Sequence, residues 1–315
     1  MRTSLNILAS LVMVFVMAVE AGTITGCVSD RPVEELKARW APPPSQFLDL
    51  QGYAIHYRDE GRRDDPIPIV LIHGLSASLH TWEGWVAALK AEHRVISMDL
   101  PGSGLTGPNP ENDYHIENDT RFMLRFLDAL GVQRCILVGN SLGGEIAWHV
   151  AAAEPQRVER LVLVDAAGYA LTPKSVPLPF QFASVKSMGW FNRHLLPRNV
   201  VESAVRNVYG NPARITEELV DRYYELALRA GNRGALIKRI AHMKPGADVE
   251  RLKMLTMPTL ILWGARDKLI PPEHAEHFHR DIAGSQLVMY EKLGHVPQEE
   301  DPNRTVADVQ RFLEH

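Results

Sequence analysis

The sequence predicts an α/β protein: a mostly parallel sheet covered by helices on both faces and interrupted once by a long helical insertion. Three observations carry this. Short aliphatic runs recur along the chain, and helix-length segments with apolar residues every three or four positions separate them. From about Gly168 to Gly246 no strand-like run occurs at all. The first two runs, Phe47 to Leu50 and Tyr53 to Arg58, meet at Gln51-Gly52 and read as a β-hairpin. After the charged turn Glu60 to Asp65 comes Ile67 to Ile72, aliphatic throughout except for Pro68, as expected of a strand buried on both faces. Arg94 to Leu100, Arg134 to Val138, Val158 to Val164, Thr259 to Trp263 and Gln286 to Tyr290 are the later runs. Helices are expected over Thr120 to Leu130 and Leu142 to Ala153, and over Thr216 to Arg229 inside the insertion, which opens on Pro173, Pro177 and Pro179.

Composition narrows the class further. The 315 residues are 45% hydrophobic and 23% charged, which suits a globular enzyme and excludes a disordered polymer or a multi-span membrane protein. Lys plus Arg number 34 against 38 Asp plus Glu, with no basic block, so nucleic acid is not an expected partner. The two cysteines, Cys27 and Cys135, are too few for a disulfide framework or a four-cysteine zinc site.

The N-terminus reads as an address. Arg2 precedes an uncharged run to Val19 whose strongly apolar part, Ile7 to Val19, is short for the ~20 residues of a membrane span. Ile24-Thr25-Gly26-Cys27 resembles a bacterial lipobox, which makes residues 1–26 a lipoprotein signal peptide and Cys27 an acylated N-terminus, although Glu20 interrupts the usual pattern. A plain signal peptide, an uncleaved anchor and a misplaced start codon are the alternatives. Export to the periplasm or outer membrane is the expectation, with membrane association through Cys27 or the apolar segment. Residues 27–46, mostly polar and charged and including Ala41-Pro42-Pro43-Pro44, read as a tether with a stiff spacer.

The chemistry centres on Gly139-Asn140-Ser141-Leu142-Gly143, a G-x-S-x-G motif with a strand before it and a helix after it. Ser141 must sit at a sharp, strained turn, so residues two positions away must lack bulk for strand and helix to approach. The helix N-terminus adds free N–H groups and a partial positive charge. A serine alcohol needs a base, and the base needs an orienting acid. Asp267 follows the strand run ending at Trp263, and His295 follows the run ending at Tyr290, in the order Ser, Asp, His and at strand ends where open α/β sheets build their sites. The oxyanion donors expected are the backbone N–H groups of Leu142 and of Leu75, the latter in the turn His73-Gly74-Leu75. His73 itself reads as a loop-fixing residue, and Asp165, at an earlier strand end, is a rival for the acid.

Two other patterns carry less. Gly102-Ser-Gly104-Leu-Thr-Gly107 satisfies a dinucleotide pattern, but Pro108 and Pro110 prevent a helix from opening behind it. His274, His277 and His279 lack metalloprotease spacing and read as a solvated helix face. Cys135, opening the strand before the elbow, reads as a small buried hydrophobe.

With His73-Gly74, Asp99-Leu-Pro-Gly-Ser-Gly104, the elbow at Ser141, Trp263-Gly-Ala-Arg-Asp267 and Gly294-His295 in this order, the chain resembles the α/β-hydrolase superfamily from about Phe47 to Leu313. Within it the chain is similar to the serine esterases and lipases related to monoacylglycerol lipases, and to the carbon–carbon bond hydrolases of aromatic degradation. The resemblance implies an eight-stranded, mostly parallel sheet formed by residues 47–168 and 247–315, with a helical cap, residues 169–246, between strands six and seven. It implies a carboxylic ester hydrolase working through an acyl-enzyme with Ser141, Asp267 and His295, without metal or cofactor. The partner expected is a small-molecule ester with an apolar acyl chain, met in the cap by Phe180, Phe182, Met188, Trp190 and Phe191. Serine at 141 disfavours the aspartate-nucleophile members. Asn140, where proline iminopeptidases carry tryptophan, disfavours those, and Val296 after the histidine disfavours carbon–carbon cleavage. A non-catalytic binding protein of the same fold is the remaining alternative.

Overall fold

The structure, a computed structural model, describes residues 28–50, 52–170 and 196–314. Eight strands form one sheet: β1 (Gln46–Leu50), β2 (Tyr53–Gly61), β3 (Ile69–Ile72), β4 (Arg94–Met98), β5 (Cys135–Asn140), β6 (Val158–Val164), β7 (Thr259–Gly264) and β8 (Gln286–Tyr290). Their order is β1-β2-β4-β3-β5-β6-β7-β8. β1 and β2 form the antiparallel edge, β2 pairs antiparallel with β4, and every later pairing is parallel. β3 begins one residue after Pro68, which has no N–H to give the ladder, though its carbonyl still accepts from Ile136 N at 2.9 Å.

The central strands are aliphatic throughout because both faces are covered. Val70 and Ile72 of β3, Leu137 of β5 and Ile261 and Trp263 of β7 face one core layer. There they meet helices α3 (Ile116–Ala129), α4 (Leu142–Ala153) and α8 (Glu273–Asp281). Their alternates Ile69, Leu71, Ile136, Val138, Leu260 and Leu262 face the other layer, against α2 (Glu83–Leu89) and the C-terminal α9 (Pro302–Glu314). The alternation of the pleat thus divides each continuous apolar run between two cores.

Between β6 and β7 the described residues carry α5 (Arg198–Val208), α6 (Glu217–Ala227) and α7 (Asn232–His242). Thr216 caps α6, its Oγ1 accepting Leu219 N at 3.1 Å, which fixes where that helix begins. Phe180, Phe182, Met188, Trp190 and Phe191 lie outside the described residues, as do residues 1–27 with the lipobox. Among the described residues no helix is long and apolar enough to cross a membrane.

The stretch expected as a tether is structured instead. Val33–Trp40 is helix α1, with Leu36 and Trp40 four residues apart on one face and buried against Leu105 and Leu226. Ahead of it, Arg31 N donates to Leu228 O at 2.7 Å and Ala230 N donates to Arg31 O at 2.9 Å. Asp30 pairs with Arg233, and Trp40 Nε1 donates to Glu225 Oε2 at 2.7 Å. Polar composition suggested a free linker. Its charges in fact find partners on α6 and α7, and Leu36 and Trp40 find a groove.

Candidate active site

β5 runs into Ser141, whose backbone takes φ +56° and ψ −120°, and α4 begins at the next residue. That conformation is strained for a residue with a side chain. Three hydrogen bonds hold it: Ser141 N donates to Val164 O (3.0 Å), and Ser141 O accepts from Ala167 N (2.9 Å) and Glu145 N (3.1 Å). The flanking glycines are there for space. A Cβ on Gly143 would stand 2.6 Å from His73 O, and one on Gly139 would stand 2.5 Å from Gly144 N.

Asp267 and His295 meet beside this turn. His295 Nδ1 lies 2.6 Å from Asp267 Oδ2. The other carboxylate oxygen, Oδ1, accepts Leu269 N at 2.7 Å and Ile270 N at 3.0 Å. Asp267 thus meets three nitrogens, and both residues are buried, at 6% and 4% exposure. Asp165, the rival carboxyl, makes no hydrogen bond to His295 among the described residues; its Oδ1 accepts Gly264 N at 2.9 Å. Among the described residues Ser141 Oγ makes no hydrogen bond, so the contact from hydroxyl to imidazole is not closed here.

The His295 loop is tied from three sides. Asn140, next to the serine, donates its Nδ2 to His295 O at 3.0 Å and to Val164 O at 3.1 Å. Arg266 N donates to Leu293 O at 2.9 Å, joining the aspartate and histidine loops. His295 N donates to Val208 O at 2.7 Å, and Glu300 accepts Gly294 N, Gly210 N and Asn211 N at 2.7–2.9 Å. The end of α5 is thus fastened to the histidine loop. Neither Asn140 nor Glu300 could be assigned this part from the sequence, because their partners lie far away along the chain or on backbone atoms.

The turn after β3 passes directly over the elbow. A Cβ on Gly74 would lie 3.0 Å from Ser141 Cβ. Neither Leu75 N–H nor Leu142 N–H donates to a hydrogen bond among the described residues, so both remain free to meet an anionic oxygen. His73 is fully buried. Its Nδ1–H reaches Gly74 O at 2.7 Å and its Nε2 accepts Leu100 N at 3.0 Å. Both ring nitrogens are occupied, and burial pushes its pKa down, so it fixes the loop as a neutral ring.

Asp99 organises the neighbouring loop, its carboxylate accepting Leu79 N and Leu105 N, both at 2.8 Å, and meeting His56 Nδ1 at 2.7 Å. Burial would raise its pKa, but the His56 ring and its hydrogen bond outweigh burial and hold it well below the usual carboxylate range. This carboxylate is what shapes the Gly102 to Gly107 loop. His274 and His277 pack edge-on against Tyr169, and His279 Nδ1 meets Ser285 Oγ at 3.0 Å. Cys135 is buried, which pushes its thiol up to about 12.

A sheet of this order, with a strained serine between β5 and α4 and a buried Asp–His pair at the ends of β7 and β8, defines an α/β hydrolase. The sequence profile of the alpha/beta hydrolase fold matches residues 67–302, and the chain belongs to that family. It is a hydrolase. An uncharacterised protein of Mycobacterium tuberculosis is 32% identical over 304 residues, covering 90% of this chain and 84% of the relative. A Bacillus subtilis hydrolase, YugF, is 26% identical over 261 residues, covering 83% of this chain and 93% of the relative. Among solved structures, a lipase described as putative, from Acinetobacter baumannii, superposes with a TM-score of 0.74 at 26% identity, covering 91% of this chain and 97% of that one.

Proposed function

We propose that the protein hydrolyses carboxylic esters with an apolar acyl chain through a serine acyl-enzyme. The observation that carries this reading is the Asp267–His295 bond of 2.6 Å lying beside a serine forced to φ +56°. In this reading Ser141 Oγ attacks the ester carbonyl while His295 Nε2 takes its proton. Asp267 holds the Nδ1–H and stabilises the imidazolium. The tetrahedral oxyanion is met by the N–H groups of Leu75 and Leu142. It then collapses, and the alcohol leaves with the proton from His295. A water, deprotonated by His295, attacks the acyl-serine and releases the acid. The open Oγ–Nε2 contact closes when substrate is bound, as catalytic contacts in substrate-free sites commonly do. The lipase likeness supports an ester substrate, and the acylated Cys27 we also propose would bring the enzyme to lipid.

The test is hydrolysis of p-nitrophenyl esters of increasing chain length by the wild-type and Ser141→Ala proteins. Rates rising beyond acetate, with a loss in the variant on the order of 10⁶-fold in kcat, are expected. Undiminished turnover in Ser141→Ala would remove the serine from the mechanism. Turnover of acetate alone would remove the apolar acyl chain, and cleavage of a carbon–carbon bond in preference to esters would replace the substrate class.

A further inference from the structure

The buried carboxyl that the mechanism leaves unused is Asp165. It follows β6 with φ +44°, in the left-handed region, and its N–H donates to Leu262 O at 3.0 Å. That turn aims its side chain at the end of β7. Oδ1 accepts Gly264 N at 2.9 Å, whereas Oδ2 is buried with no N–H or O–H donor among the described residues. The residue is 0% exposed. One oxygen or nitrogen of each of Asp165, Asp267 and His295 lies within 4.8 Å of the others.

Two buried carboxyls this close do not both ionise. The partners decide which one keeps the charge. Asp267 accepts from Leu269 N, Ile270 N and His295 Nδ1, and so is held as the anion. Asp165 has one backbone donor, and its Oδ2, without a donor among the described residues, calls for a proton of its own. We infer that Asp165 is a neutral carboxylic acid whose Oδ2 proton is donated to the Asp267 carboxylate, making it a positioning residue for the catalytic pair. This rests on the assignment of Asp267 and His295 proposed above. The electrostatics run the same way: burial first, then the Asp267 charge and their shared hydrogen bond, with Glu300 adding, raise the Asp165 carboxyl well above its ordinary range. The fourth donor fixes the plane of the Asp267 carboxylate, and through it the tautomer and direction of the His295 ring.

The variant Asp165→Asn tests this directly, because its amide is neutral and still offers an N–H to Asp267. The pH profile of kcat/KM should keep its acid limb in place and its height within about threefold. Asp165→Ala should lower kcat by about tenfold or more with KM little changed, since Asp267 loses a donor. Infrared difference spectra at neutral pH, wild type minus Asp165→Asn, should contain a protonated-carboxyl C=O stretch that shifts in D2O. An acid limb displaced downward by about a pH unit in Asp165→Asn would show that a negative charge had been removed, and would overturn the inference. So would the absence of that band. If Asp165→Ala fails to fold, the asparagine variant and the spectrum still decide. The spectrum is read without turnover, so the protonation state stands or falls independently of hydrolysis, which the Ser141→Ala assay tests.

Discussion

Gly139 is where the elbow can be loaded most directly. A methyl group there would overlap the carbonyl of Gly143 and stand 2.5 Å from Gly144 N, and both are backbone atoms. Carbon contacts normally settle near ~3.5 Å, so Gly139→Ala requires the first turn of α4 to move about 1 Å away from β5. That turn carries Leu142 N–H, and a misplacement of ~1 Å at a reacting centre costs on the order of 10²-fold in rate. Overpacking of this kind also destabilises by ~1–3 kcal/mol. At ~2–4 °C per kcal/mol for a domain of this size, the melting temperature should fall by several degrees. Gly234→Ala is the matched control. It lies within α7 with nothing within 4 Å of the added carbon. It should leave the rate unchanged and stabilise the helix by up to ~1 kcal/mol. Thermal melts and p-nitrophenyl butyrate turnover read both variants. Wild-type turnover and melting in Gly139→Ala would show that the close approach of β5 and α4 does not constrain the nucleophile.

Two further outcomes are expected. Burial pushes His80 down to about 3, so the unfolded chain, with an ordinary imidazole, binds the proton first as pH falls below ~6.5. Stability should therefore decline by roughly 1.4 kcal/mol per pH unit from this group between ~6 and ~3, and chemical denaturation of His80→Gln at pH 5 and pH 7 should show a smaller difference than wild type. At the N-terminus, mass spectrometry of protein purified from its native membrane should find the first peptide beginning at an acylated Cys27. A peptide beginning elsewhere, without acyl mass, would remove the lipoprotein proposal.

Much of the fold was legible because its information is local. The strands announce themselves as aliphatic runs, since a strand covered on both faces has no polar side to show. The elbow is readable because Gly139 is required by steric overlap with backbone only four or five residues away, although Gly143 answers to the distant carbonyls of Ile72 and His73. Contacts between distant segments were not legible. Asn140 reaches His295, 155 residues later, and Glu300 binds backbone N–H groups that any residue would supply. Asp165 and Asp267 both read as acids for the base. Their different charge states follow from how many donors each finds, and sequence order does not encode that count. Helix α1 was missed for a related reason. Leu36 and Trp40 have helical spacing, but a helix of 8 residues is too short to announce itself, and its stability comes from the groove that receives it.

That docked arm alters how a mechanical load would travel through the molecule. A pull applied at Val28 first meets Arg233, which donates to Val28 O at 2.8 Å and pairs with Asp30, and then the two backbone bonds of Arg31, all of them on the segment from Leu228 to Arg233. Any fastening upstream of that point would suspend the enzyme from its insertion, with the sheet hanging beneath, rather than letting it swing on a leash.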